Sequence, residues 1–215
     1  MQFADRSAAG EALAQALTPR CRRTGQLVLA LPRGGVPVAV PVARKLECEL
    51  DLLLVRKLGV PWQPELAAGA IADGGVRILN EEIIRVAGLS DTQIDEIAER
   101  ELRELERRSR LYREDRPAPQ LRDRDLILVD DGLATGATMK AAVAVARAAG
   151  ATSITVAVPV APAETLREFS LLVDELICLS TPRQFFGVGQ GYGDFRQVSD
   201  DEVRCALKST WKDTE

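Results

Sequence analysis

No histidine occurs among the 215 residues. That removes the side chain most often used as a general base near neutral pH, so any proton transfer falls to Asp, Glu, Lys, Tyr or water. A histidine-dependent triad is excluded with it. The four cysteines, Cys21, Cys48, Cys178 and Cys205, are widely spaced and form no C-x-x-C, so a zinc centre is not expected and reduced thiols are. Cys178, in an apolar run, reads as a buried thiol. Long apolar runs are missing too. None approaches the ~20 residues that span a bilayer, and the N-terminus lacks a basic segment followed by an apolar one. A cytoplasmic protein with no membrane segment is the expectation. The net charge is −4, which gives no overall field for nucleic acid. No internal repeat or low-complexity segment is present.

What is there centres on residues 125–138, DLILVDDGLATGAT. Leu126 to Val129 is a short apolar run bounded by turn signals, the mark of a buried parallel strand. Asp130 and Asp131 follow at its carboxyl end, the edge where open α/β sheets bind ligands. Two ionised carboxylates there can accept hydrogen bonds from a vicinal diol. The loop after them (Ala134, Thr135, Gly136, Ala137, Thr138) offers backbone amides, two hydroxyls and the positive end of the helix expected over 139–149. That combination suits a phosphate. Diol and phosphate acceptors side by side point to a ribose 5-phosphate.

This stretch resembles the phosphoribosyl-pyrophosphate (PRPP) signature of the type I phosphoribosyltransferases, here LILV-DD-GLA-TGAT. A P-loop would need a Lys after Gly136, and no G-x-G-x-x-G follows the strand. The resemblance implies transfer of ribose 5-phosphate from PRPP to a nitrogenous acceptor, with release of pyrophosphate. It implies Mg²⁺ held at Asp130 and Asp131 mostly through the substrate. It assigns those acids to the ribose and residues 134–138 to the 5′-phosphate. The family fold is a doubly wound, mostly parallel α/β sheet flanked by helices, with a small hood. The alternative is a PRPP- or nucleotide-binding regulator of the same fold.

In chain order, Arg6 to Leu17 has helical spacing ended by Pro19. Residues 26–31 form the first strand and run into Pro32-Arg33-Gly34-Gly35, with a helix expected over 36–46. Arg33 brings five donors suited to phosphate, and Arg33, Gly34 and Gly35 look like the family's pyrophosphate loop, which often holds a non-proline cis peptide. A plain βα turn with a solvated Arg is the competing reading. Residues 51–55 are the second strand. Residues 56–65 match in position the family's flexible loop, which closes over substrate. Arg56 and Lys57 there would neutralise the leaving pyrophosphate, and Glu65 is either an acid/base or a loop carboxylate in a salt bridge. Trp62 either caps the site or anchors the loop. A strand at 66–72, the Asp73-Gly74-Gly75 turn and residues 76–79 read as a hairpin.

A helix over 80–87 and a charged one over 92–112, capped by Ser90-Asp91, make a helical insertion at about 81–116. Its Arg cluster is interleaved with acids, which favours a solvated face or a homo-oligomer contact over nucleic acid. Strands at 153–159 and 173–179 and helices at 162–169 and 201–207 complete a single domain, 1–215. Although aromatics make up only 4 % of the chain, Phe185, Phe186, Tyr192 and Phe195 cluster in a Gly-rich loop, about 180–196. By the resemblance this is the hood, with Phe185, Phe186 and Tyr192 as acceptor-site candidates; stapling of the loop to the core is the alternative. One departure bears on the acceptor. The 6-oxopurine enzymes carry an acid three residues after the second acid of the pair, where this chain has Ala134. Hypoxanthine and guanine are therefore expected to be poor acceptors. The adenine enzymes share the Ala but match the other loops loosely.

Overall fold

The computed structural model describes residues 2–19 and 25–211, without the side chains of Pro64 and Glu65. Cys21 therefore lies outside the described residues. Five parallel strands form the main sheet in the order β2-β1-β6-β7-β8. They are β1 (Leu27–Ala30), β2 (Glu49–Leu52), β6 (Asp125–Val129), β7 (Ser153–Val160) and β8 (Glu175–Ser180). Successive side chains on a strand point to opposite faces, and both faces here are covered. Val28 and Ala30 of β1 and Ile127 and Val129 of β6 join the core under α1 (Arg6–Leu17), α2 (Gly35–Leu46) and α7 (Asp200–Trp211). Leu27, Leu29, Leu126 and Leu128 join the opposite core under α5 (Ala137–Ala148) and α6 (Ala163–Phe169). Burial on both faces is why these strands read as continuous apolar runs.

Between β2 and β6 the chain departs from the sequence reading. Residues 56–65 do not form a patternless loop. They build a hairpin of β3 (Val55–Val60) and β4 (Gln63–Ala72), turning at Pro61 and Trp62. The expected 51–55 strand is divided between β2 and β3. With β5 (Arg77–Leu79) after the Asp73-Gly74-Gly75 turn, these strands make a second, antiparallel sheet in the order β3-β4-β5. Alternation is weak in β3 because its partner surfaces are partly α5 and partly polar, so the periodicity that marks a half-buried strand is blurred.

Two helices follow, α3 (Glu81–Ala87) and α4 (Asp91–Arg113). The second begins on its expected cap, where Ser90 with Gln93 forms a reciprocal capping box; the first starts at Glu81, and Asn80, read as its first residue, is instead its cap and accepts from Ile83 N–H. The outer face of α4 carries Glu–Arg pairs one turn apart, Glu104 with Arg107 and Arg108 among them. Its inner face holds Ile94, Ile97 and Leu105, but also Glu101 and Arg113. Arg113 is fully buried. It binds Asp51 of β2 at 2.7 Å, donates to the Leu52 carbonyl at 2.6 Å and also binds Asp73 at the β4–β5 turn. One guanidinium thus ties the insertion helix to the edge of the parallel sheet and to the antiparallel one. Burial pushes both Asp51 and Asp73 carboxyls upward, against the opposing pull of Arg113.

Candidate functional site

β1 and β6 are direct parallel neighbours, with Ala30 beside Val129. Their loops therefore leave the sheet at one edge, PRGG from β1 and DDGLATGAT from β6. Leu31 N–H donates to Val129 O at 2.9 Å and carries the pairing one residue past the strand. The Pro32–Arg33 peptide is cis. The PRGG turn packs closely on the acid loop because the residues it presents are glycines, Gly34 against the Asp131 carboxylate and Gly35 against the backbone of Val129 and Asp130. A Cβ on Gly34 would stand 2.6 Å from Asp131 Cγ, and one on Gly35 would stand 2.6 Å from Val129 O. Both are closer than real Cβ contacts allow, so any side chain would force the acids away from the PRGG turn.

Beyond the acids, Gly136 takes a left-handed conformation (φ +71°) and caps α5, a conformation that glycine adopts without steric cost. Thr165 donates to the Ala134 carbonyl at 2.8 Å and fixes the loop from α6. Thr135, Ala137 and Thr138 stay exposed. The loop presents its amides and hydroxyls at the open N-terminus of α5, the arrangement a phosphate requires.

The acids themselves are not equivalent. Asp130 is half-buried, and one of its oxygens accepts from Asp131 N–H at 2.8 Å. Burial, and then the neighbouring Asp131 charge, push its carboxyl well up. Asp131 is held by a residue that no motif announced. Arg6 of α1 reaches Asp131 Oδ2 with Nε at 2.9 Å and Nη2 at 2.8 Å, and donates to the Arg196 carbonyl at 2.9 Å. The Arg6 guanidinium lies 3.9 Å over the Phe195 ring. Burial raises Asp131 as well, with Arg6 pulling the other way.

Burial changes the expected role of one aromatic. Tyr192 is only 4 % exposed; it packs with Phe3 and Phe195, and its hydroxyl donates to the Asp131 carbonyl at 2.6 Å. It braces the site from behind and does not offer a face to an acceptor, which corrects its assignment as an acceptor contact. Phe185 leans on the same cluster, whereas Phe186 is 88 % exposed. Arg33 lies 3.8 Å from Asp200 at the start of α7, where Tyr112 also donates at 2.6 Å. Arg56 binds Glu101 of α4 at 2.7 Å and so is anchored to the insertion. The side chain of Glu65 lies outside the described residues.

Two cavities flank the β3–β4 hairpin. One, of about 680 Å³, is lined by Arg56, Lys57, Arg100, Glu101 and Thr138 among others. The other, of about 760 Å³, is more apolar and is lined by Ala70, Ile78, Leu79, Thr135, Lys140 and Ala144 among others. Both adjoin the start of α5 and share Lys57, Ala137 and Ala141. Arg6, Arg100 and Glu101 were missed in the sequence. Arg6 and Glu101 did leave a signal there, since each is a charge set within the apolar stripe of its helix. Among the described residues no group of three or more His, Cys, Asp or Glu could hold a metal ion, and no helix is long and apolar enough to cross a membrane.

This geometry, two loops at the carboxyl edge of a parallel sheet with paired acids and a glycine-bearing helix cap, agrees with the comparisons to known proteins. The family model described as "Phosphoribosyl transferase domain" matches residues 7–194. The chain belongs to that family. A Mycobacterium tuberculosis protein provisionally named a phosphoribosyl transferase, recorded in two strains, is 49 % identical over 211 residues. That alignment takes in 98 % of this chain and 47 % of the relative, so the chain spans about half the length of the curated relatives it matches. Among solved structures, the TT1426 protein of Thermus thermophilus is 42 % identical with a TM-score of 0.88, covering 97 % of this chain and 99 % of that one. The AQ2163 protein of Aquifex aeolicus shares the fold alone, at 11 % identity and a TM-score of 0.53, over 94 % of this chain and 84 % of that one.

Proposed function

We propose that this chain transfers ribose 5-phosphate from PRPP to a nitrogenous, nucleobase-like acceptor and releases pyrophosphate, in the cytoplasm. The observation that carries the reading is the backbone contact of Gly34 and Gly35 with Asp131 and Val129–Asp130 beside the exposed 134–138 loop. It gathers an acceptor of diol hydrogen bonds, a phosphate cradle and a second glycine loop at one edge. In this reading the amides and hydroxyls of Thr135 to Thr138 hold the 5′-phosphate. Asp130 accepts from the ribose hydroxyls. Arg33, with Arg56 and Lys57 on the hairpin, receives the charge of the leaving pyrophosphate, and Glu65 handles the acceptor's proton. Catalysis is then mainly positioning and charge stabilisation around a cationic sugar. A hard divalent cation fits Asp130, whose second carboxylate oxygen makes no hydrogen bond among the described residues. Mg²⁺ bound there and by substrate oxygens would neutralise the polyphosphate. The exposed Phe186 keeps its role as an acceptor-site candidate.

The test is a melting curve with Mg-PRPP followed by a panel of purine, pyrimidine and other nitrogenous acceptors with pyrophosphate detection. A ligand that binds only the native state raises the melting temperature by mass action. Acceptor-dependent pyrophosphate release establishes the transferase. A shift without release for any acceptor favours the PRPP-binding regulator, and no shift at all rejects both. Rapid turnover of hypoxanthine or guanine would overturn the reading of Ala134.

A further inference from the structure

We propose that the charged insertion helix α4 is a wall of the ligand site. It supplies Arg100 as a further contact for the pyrophosphate group of PRPP, and Glu101 as the positioning residue that aims Arg100 and Arg56 at that group. The inference rests on the PRPP reading for its ligand and on side-chain geometry for its residues.

Glu101 is only 9 % exposed and sits in the wall of the cavity of about 680 Å³. Its two oxygens are divided. Oε2 accepts from Nε of Arg56 and lies as close to Nη2, both at 2.7 Å, while Oε1 accepts from Nε of Arg100 at 3.2 Å. One buried carboxylate thus fixes two guanidinium groups from different elements, one on β3 and one on α4. A guanidinium has five donors in a rigid fork that matches phosphate oxygens. Glu101 takes neither Nη1 of Arg56 nor either terminal nitrogen of Arg100. The charged lining of the cavity is Arg56, Lys57, Arg100 and Glu101, three cations against one carboxylate, which leaves a net charge of +2.

The direction of the Arg100 side chain is informative. Adjacent residues on a helix do not face each other, and a surface Arg pairs instead with an acid four residues before it. Glu96 stands at that position, yet Arg100 bends to Glu101 and lines the cavity. The cavity also reaches both loops of the site. Ala137 and Thr138 line it at the start of α5. A small cleft that shares Arg56 and Thr138 with it is lined by Pro32 of the PRGG turn and by Arg108 of α4. A polyphosphate held between the PRGG turn and the 134–138 loop therefore has α4 as its third wall.

The experiment titrates the full chain by calorimetry with Mg-pyrophosphate and, separately, with Mg-PRPP, for wild type, R100Q, R100K, R103Q and E101Q. Arg103 is the control, since it lies on the same helix, is exposed, pairs with Glu99 and takes no part in the cavity. R100Q should weaken pyrophosphate binding roughly tenfold, the loss of a charge-assisted contact. R103Q should change it by less than about twofold, because a screened surface charge acts weakly at a distance. R100K, which keeps the charge and loses the fork, should fall between wild type and R100Q. For E101Q the sign decides. Removing a negative charge from an anion site tightens binding if Glu101 is only a charge there; weaker binding is expected here, because two guanidinium groups lose their aim. The Arg100 side chain is 65 % exposed, so R100Q keeps the fold and decides the matter even if E101Q does not fold. Tighter pyrophosphate binding by E101Q, or a loss in R100Q no larger than in R103Q, overturns the proposal. PRPP binding that R100Q leaves intact upholds the transferase reading and overturns this one. Pyrophosphate binding weakened by R100Q in a protein that binds no PRPP upholds the α4 wall while the transferase reading fails, and a wild type that binds neither ligand overturns both.

Discussion

The two sheets share their apolar cores but differ in the joins at their loops. At the edge of the parallel sheet, the backbone of PRGG lies directly on the Asp131 carboxylate and on the Val129–Asp130 backbone, and the contact exists because Gly34 and Gly35 have no side chains. The antiparallel β3–β5 sheet also packs Leu58, Ile71, Ala70 and Ala72 into the cores, but its polar ties to its neighbours are long charged side chains: Arg113 to Asp51 and Asp73, and Arg56 to Glu101. The first kind of join is short-ranged and admits no alternative geometry. The second is made of discrete ion pairs at the ends of flexible stems, and each can be removed singly. The difference suits a site in which one wall has to be rigid and the other has to admit substrate.

The comparison can be broken most forcefully at Arg113. Replacing one member of a buried ion pair leaves the others uncompensated and costs ~3–5 kcal/mol. R113M should therefore lower stability by about that amount in chemical denaturation. A loss under ~1 kcal/mol would mean that the triad contributes no more than an exposed pair does. The rigid join is tested by G35A, which drives a methyl into the Val129 carbonyl. Overpacking of this kind costs ~1–3 kcal/mol, and Mg-PRPP affinity should fall with it. Unchanged affinity and stability would show that the two loops can separate freely.

A smaller effect is expected for E101Q. It weakens the hold of α4 on Arg56 without opening a cavity; because Glu101 is buried, global stability should fall by ~1–2 kcal/mol. Protease nicking at Arg56 and Lys57 should nonetheless rise, and Mg-PRPP should suppress it. Equal nicking in wild type and variant would detach the hairpin's position from the insertion. The smallest effect concerns the outer face of α4. Hydrogen bonds from Arg107 and then Arg108 depress the Glu104 carboxyl from 4.5 to about 2. Because the folded value is the lower one, the pair's contribution is complete above 4.5 and disappears as pH falls through about 2. Hydrogen exchange along α4 should differ between wild type and E104Q at neutral pH, and the difference should vanish near pH 2. A difference that persists there would assign it to helix propensity instead.

The same contrast explains what could be read from the residues in order. The signature, the PRGG turn, the capping of α4 and the β4–β5 turn are local: each motif and its structure lie within a few neighbours. The core strands were legible because burial on both faces leaves an unbroken apolar run. Arg6 and Asp131 are 125 positions apart, and Arg113 and Asp51 are 62 apart. Nothing local says which distant carboxylate a helical arginine will meet. Their trace is a charge interrupting an apolar stripe, as with Arg6 ahead of Ala9, Leu13 and Leu17 on the buried face of α1. The hairpin at 55–72 escapes a sequence reading for a related reason. It looks like a loop because the partner of Arg56, Glu101, lies on α4 and is absent from the segment itself.

Lys57, Ala137 and Ala141 belong to the walls of both cavities. The two cavities therefore have a wall in common, made by β3 and the first turns of α5, and a substitution at Lys57, Ala137 or Ala141 alters the lining of both at once.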